Sequence, residues 1–182
     1  MFNQNRNDFP TLQGENPPAY LDNACVTLKP QSVIDSIQRY YTEVPGCGGR
    51  SVHRYGTTVS KAVSDARTKL AKFLNAPSAN EIVFTRNATH SINQIAHGMT
   101  WEKGDVVLTT DREHNSNLVP WLQLEQEQGV DHRVVPSHPD NTFDLEAFEA
   151  ACADAGDKLR MVAMSHVGNL DGVAIPIEKI TS

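Results

Sequence analysis

The stretch Glu81–Met99, EIVFTRNATHSINQIAHGM, constrains the fold more than any other part of the 182-residue chain. Ile82-Val83-Phe84 is apolar and rich in β-preferring residues, which predicts a strand. Thr85-Arg86-Asn87-Ala88 reads as a short polar turn. Ile92, Ile95, Ala96 and Met99 then recur at i, i+3, i+4 and i+7, which predicts a helix over 89–99. Thr89 falls where an N-cap or first-turn residue belongs. A strand that ends at a helix N-terminus presents free backbone N–H groups and a positive dipole end, a ready anion site. The turn has neither the glycines of a dinucleotide fingerprint nor the Gly-Lys-Ser/Thr of a P-loop, which disfavours dinucleotides and nucleoside triphosphates. It leaves room for a single phosphate at Asn87, Ala88 and Thr89, and an ordinary βα turn fits the same residues.

Around this stretch the pattern is regular. Residues 1–18 are polar and Pro-containing and read as a flexible N-terminal arm. Tyr20-Leu21 predicts a short strand before Asp22-Asn23-Ala24-Cys25. A helix follows Pro30, with Val33, Ile34, Ile37 and Tyr41 on one face, and Pro45-Gly46 ends it. Gly46–Gly56 is glycine-rich and irregular and reads as a site loop. From about Ser60 a helix carries Val63, Ala66, Leu70, Phe73 and Leu74 on one stripe. Strand 81–85, helix 89–99, strand 105–109, helix 116–128, strand 131–135, helix 144–153 and strand 159–165 follow. The alternation implies βαβ units and an α/β fold with a mostly parallel sheet. The chain thus divides into the arm 1–18, a helix-and-loop segment 19–58 and an α/β segment 59–182. Ligands of open α/β sheets bind beyond the carboxyl ends of the strands. Thr85–Thr89, Asp111–Asn117 and His166–Asn169 fall there, so Thr89, His114 and Asn169 are expected on one rim.

Composition excludes several classes of function. A net charge of -6 with no basic stripe argues against nucleic acid and anionic membrane as partners. No apolar run approaches membrane-spanning length, and the first residues lack the apolar core of a signal peptide, so a cytoplasmic location is expected. Cys25, Cys47 and Cys152 form no CxxC, and the seven histidines are scattered; neither a disulfide framework nor a metal site is expected.

Five stretches together carry a resemblance: YLDNAC at Tyr20–Cys25, SVHR at Ser51–Arg54, TRNATHSIN at 85–93, EHNSNLVPW at Glu113–Trp121 and SHVGNLDG at Ser165–Gly172. In this order they resemble the class V aminotransferases, which use pyridoxal 5'-phosphate (PLP), and within them the cysteine desulfurase branch. The resemblance covers nearly the whole chain after about residue 18. It implies the large domain of a fold-type I PLP-dependent transferase, a three-layer structure with a mostly parallel sheet, incomplete at its C-terminal end.

It also implies roles. Thr89, with the N–H groups of Asn87, Ala88 and His90, would hold the PLP phosphate. The family usually has Gly, Thr and Glu where this chain has Asn87, Ala88 and His90, so one hydroxyl is lost at Ala88. His114 would stack on the PLP ring and move protons near neutral pH, as the catalytic residue of the set. Glu113 would be a loop carboxylate that positions the turn. Asn169 would donate to the PLP phenolic oxygen. Asn23 and Ala24 would line the substrate's carboxylate side, with His53 and Arg54 near the substrate. Arg54 or Arg50 would meet the carboxylate by paired N–H donors. The implied reaction is sulfur transfer from L-cysteine to an enzyme thiol, leaving alanine, in a homodimer that serves a sulfur acceptor protein. Other class V aminotransferase, lyase or kynureninase-like activities, and a non-catalytic phosphate-binding α/β fragment, are the competing readings. The family's Schiff-base lysine and the aspartate for the pyridine nitrogen lie downstream of the SHVGN motif, and neither is expected within these 182 residues.

Overall fold

The computed structural model describes residues 5–181. The first four residues of the expected arm lie outside the described residues. The chain divides between Phe84 and Thr85 into two units.

In the first unit Pro10–Leu12 forms a 3-10 turn. Arg6 donates to the Pro18 carbonyl at 3.0 Å, and the Gln31 N–H to the Asp8 carbonyl at 2.7 Å. Tyr20-Leu21 is not a strand. Among the described residues no neighbouring strand takes up its backbone groups; the Cys25 and Val26 N–H groups turn back on the Asp22 carbonyl, and the Tyr20 hydroxyl donates to Val26 O.

Helix α1 spans Gln31–Thr42 and α2 spans Arg54–Phe73. Helix α2 starts earlier than its apolar stripe predicts, because the His53 side chain caps it, accepting from the Gly56 N–H at 3.4 Å. The expected site loop therefore ends at His53, and the 58/59 boundary falls inside a helix. Val33, Ile34, Ile37 and Tyr41 on α1, and Val63, Leu70, Phe73 and Leu74 at and after α2, are each at least 37% exposed. Their periodicity makes helices, but their apolar faces are not core. A 3-10 turn at Ala79–Glu81 replaces the start of the strand expected at 81–85. Ile82 is extended, yet residues 82–85 form no ladder, and Val83 is 66% exposed. β-preferring side chains favour an extended backbone; a strand also needs a neighbour for its N–H and C=O groups.

The second unit holds α3 (Ala88–Gly98), β1 (Val106–Thr110), α4 (Val119–Gln128), β2 (Asp131–Val135), α5 (Leu145–Ala155), β3 (Leu159–Val162) and α6 (Ile177–Ile180). The strands are parallel in the order β2-β1-β3. Strand β3 ends three residues earlier than expected, although the Ala163 N–H still reaches Leu108 O at 2.9 Å. The expected helix over 116–128 splits into a 3-10 turn at Asn115–Asn117 and α4. Gly129, at φ 72, stops α4 in a left-handed conformation that glycine adopts without cost.

Strand β1 is the centre, buried along its whole length. Alternation sends Val107 to one face, against Ala96, Trp101, Trp121 and Leu124 from α3, α4 and the segment between α3 and β1. It sends Val106 and Leu108 to the other, against Phe148 and Ala155 of α5. Helices on both faces of a parallel sheet give the three-layer α/β arrangement that the alternation implies. The chain leaves β1 for α4 on the first face. After β3 it reaches Ile180, which packs on the second. The loops after these adjacent strands thus diverge, and the crevice between them is a topological switch point. Among the described residues no helix is long and apolar enough to cross a membrane.

Thr109 Oγ1 and His132 Nε2 lie 2.9 Å apart across β1 and β2. Burial pushes the His132 imidazole below its ordinary value, against the opposing pull of Glu125 and Asp131. The unfolded chain therefore binds more protons at this site than the folded one. Stability is complete above the unfolded histidine value of about 6.5 and falls as pH drops through it. Urea denaturation from about pH 7.5 to 5 is expected to show a steeper loss for the wild type than for His132→Gln. Parallel pH profiles would refute this linkage.

Candidate functional site

One carboxylate ties the two sides of the switch-point crevice together. Glu113, on the loop after β1, accepts from Thr110 Oγ1 at 2.7 Å and Asn117 Nδ2 at 2.8 Å. Just after β3, it accepts from the Ser165 N–H at 3.0 Å and the Ser165 hydroxyl at 2.8 Å. Asn117 is buried and completes the junction: Nδ2 donates to Ala163 O at 3.0 Å, and Oδ1 accepts from Trp121 Nε1 at 3.3 Å. Glu113 thus positions the turn, as its place in the sequence suggests. Asn117 and Ser165 are structural ties that pattern reading did not single out; the one signal for them is polarity inside apolar-flanked motifs.

This junction fixes His114 next to it. The His114 side chain caps the 3-10 turn. Nδ1 accepts from the Ser116 N–H at 3.1 Å and lies 2.9 Å from the Ser116 hydroxyl. A ring whose Nδ1 accepts keeps its proton on Nε2. The imidazole itself is exposed.

The phosphate-type turn lies on the same unit. Asn87 caps α3, with Oδ1 accepting from the His90 N–H at 2.9 Å. The Ala88 and Thr89 N–H groups open the helix and have no acceptor among the described residues. Of the expected cup donors, the His90 N–H is already engaged. Thr89 lies in the first turn and its hydroxyl has no partner among the described residues; only its carbonyl is used, by Asn93 Nδ2 at 2.9 Å. Ala88 lines a cleft with Ser116, Asn117, Trp121 and Ser165, so the α3 N-terminus opens at the carboxyl-end rim. Asn169 lines a second cleft of about 200 Å³ with Asp111, Arg112 and Glu113, and its amide is exposed and has no partner among the described residues.

The residues expected near the substrate lie in the other unit. Asn23 and Ala24 are exposed on the turn that Tyr20 closes. His53 is spent partly as a helix cap, and Arg54 opens α2 with its guanidinium 6.0 Å from the Tyr55 ring. Cys25 and Cys47 are exposed; Cys152 is half-buried, and burial pushes its thiol up, away from reactivity. No cluster among the described residues could hold a metal ion.

The family model for Aminotransferase class-V matches residues 19–182. The chain belongs to this family. A cysteine desulfurase of Salmonella newport is 37% identical over 178 residues, which is 94% of this chain and 43% of that protein. The apo structure of a cysteine desulfurase from Thermococcus onnurineus superposes with a TM-score of 0.83 at 28% identity, covering 98% of this chain and 43% of that one. A C-DES variant carrying glycine covalently linked to its PLP cofactor has the same fold, with a TM-score of 0.80 at 23% identity, covering 97% of this chain and 44% of that one. The class V chain therefore spans less than half the length of these relatives. The likeness bears out the fold-type I reading of the sheet and its two helical layers.

Proposed function

We propose that this class V chain builds the phosphate, ring and phenolic-oxygen side of a PLP site in a cysteine desulfurase-like enzyme. The observation that carries the reading is the state of four donors. The Thr89 hydroxyl, the Ala88 and Thr89 N–H groups and the Asn169 amide are unengaged, while Glu113, Asn117 and Ser165 around them are fully tied. A dianionic phosphate fits the α3 N-terminus by charge and by hydrogen bonding. His114 offers a planar face and holds its proton at Nε2. Asn169 offers an N–H donor to a phenolate. Bound there, PLP supplies an electron sink for bond cleavage next to an amino acid's α-carbon. Among the lysines of this unit, Lys103 and Lys158 precede β1 and β3, at the rim away from these donors. Neither of these two lysines fits the role of the Schiff-base lysine.

The substrate reading, L-cysteine as sulfur donor, rests on the named relatives; a sulfur acceptor protein and a cytoplasmic location are proposed with it. Asn23, Ala24, His53 and Arg54 are its proposed substrate contacts. The exposed apolar faces of α1 and α2 support a homodimer.

Pyridoxine 5'-phosphate tests the cofactor reading, because it lacks the aldehyde and cannot couple to surface lysines. It should bind the chain in titration calorimetry. Thr89→Val should weaken it about tenfold, one charge-assisted hydrogen bond, with little change in melting. Unchanged affinity in the variant would remove Thr89 from the cup. Inorganic phosphate binding as tightly as the pyridoxine ester would favour a plain phosphate-binding module instead.

A further inference from the structure

The three loops that follow the strands are laced together through one arginine. Arg112 lies on the loop after β1, next to Glu113. Its Nη1 donates to Asn141 Oδ1 at 2.6 Å, on the loop between β2 and α5. Its Nη2 forms an ion pair with Asp171 Oδ2, on the loop after β3. The preceding residue, Asp111, adds a second tie to the β2 side, accepting from the Ser137 hydroxyl at 2.6 Å and its N–H at 3.0 Å. The Arg112 and Asp171 side chains are only 29% and 25% exposed, well covered for a loop ion pair.

Asp171 does more than pair. Its Oδ1 accepts from the Val173 N–H at 3.0 Å, and this bond first, then Arg112, holds the carboxyl below the ordinary range despite some burial. Glycine at residue 168 leaves room for the carboxylate here: a Cβ there would stand 2.6 Å from Asp171 Oδ1 and the aspartate side chain would have to shift. The Gly168 N–H in turn donates to Val173 O at 2.8 Å, closing the loop on itself. Asn169 sits inside this closed segment, between Gly168 and Asp171, and lines the same cleft as Arg112.

We propose that Arg112 and Asp171 form a positioning latch that holds the Asn169 amide at the height required by the phenolic oxygen of the bound pyridine ring. The proposal rests on the PLP reading above. Without the ion pair, the 166–173 loop keeps its internal bonds and the Glu113–Ser165 junction at its base, but loses the tie from its far side to the β1 loop, and the Asn169 donor is no longer ordered toward the crevice. The latch therefore acts on one contact of the ligand, whereas a general staple would act on all of them.

Binding of pyridoxine 5'-phosphate and of its 3-deoxy analogue, which lacks the phenolic oxygen, separates these outcomes on the purified chain. Wild type should favour the phenolic ligand, and Asn169→Ala should abolish that preference. Asp171→Asn and Arg112→Gln, approaching the pair from both ends, should each lose about tenfold for the phenolic ligand and almost nothing for the deoxy analogue. Adding Asn169→Ala to either should cost nothing further. Arg112→Lys should recover part of the loss. Equal losses for both ligands, or no loss in either single variant, would overturn the latch while leaving the PLP reading intact. A wild type that binds neither ligand would overturn both.

Discussion

Replacing Glu113 by alanine is expected to lower folding stability by about 3 kcal/mol, measured as a fall in the urea midpoint at unchanged slope. The carboxylate accepts from four groups on three segments: Thr110 Oγ1, Asn117 Nδ2, the Ser165 N–H and the Ser165 hydroxyl. Hydrogen bonds to a charged acceptor contribute about 1.5–3 kcal/mol each, and bonds sharing one acceptor do not add, which sets the estimate near a single full loss plus an unsatisfied neighbour. Asn117 suffers most, because it is buried and its amide would keep only Ala163 O as an acceptor. Glutamine in place of Glu113 keeps the volume but turns one acceptor into a donor facing other donors, so Glu113→Gln should recover little. The alanine variant should also weaken pyridoxine 5'-phosphate binding, because His114 follows directly on the untied residue. A stability loss under about 0.5 kcal/mol would mean that the junction is not what joins the β1 and β3 loops.

Trp121→Ala should cost about 4 kcal/mol, within the range for deleting a large buried aromatic. Trp121 is 2% exposed and belongs to the core on the Val107 face. It meets Trp101 edge-on, with ring centroids 6.2 Å apart. Its indole N–H also satisfies Asn117 Oδ1 at 3.3 Å, so truncation opens a cavity and leaves a buried acceptor unpaired at once. Trp121→Phe separates the two effects: it refills most of the space and keeps only the polar loss, for which about 1–2 kcal/mol is expected. Equilibrium urea unfolding of the two variants reads the difference. If the phenylalanine variant is as damaged as the alanine one, the hydrogen bond and not the shape dominates.

The elements that local pattern predicts well are those whose partners lie close in sequence. Strand β2 matches its expected span, and β1 and α3 are displaced by one residue from theirs, because each carries its own apolar period and its packing partners are neighbouring βαβ elements. The strand expected at 81–85 fails for the opposite reason. Val83 and Phe84 have the right chemistry, but pairing is a property of two segments, and no described segment pairs with this one. The early start of α2 was hidden because histidine is not a usual cap, and only the geometry of His53 Nδ1 and the Gly56 N–H reveals it.

Sequence alone determined the α/β class, the alternation of strands and helices from the 81–99 stretch onward, and the family to which the five motifs point. It also singled out Thr89, His114 and Asn169, since residue type and place after a strand or turn are local properties. What only the tertiary structure decided is the lacing between loops. It shows that Glu113 joins β1 to β3, that buried Asn117 spans the junction to Trp121, and that Arg112 reaches both Asn141 and Asp171. These partners lie 52, 29 and 59 residues apart in the Glu113–Ser165, Arg112–Asn141 and Arg112–Asp171 pairs. No periodicity encodes such distances; they become neighbours only because parallel strands in the order β2-β1-β3 bring their carboxyl ends to one rim.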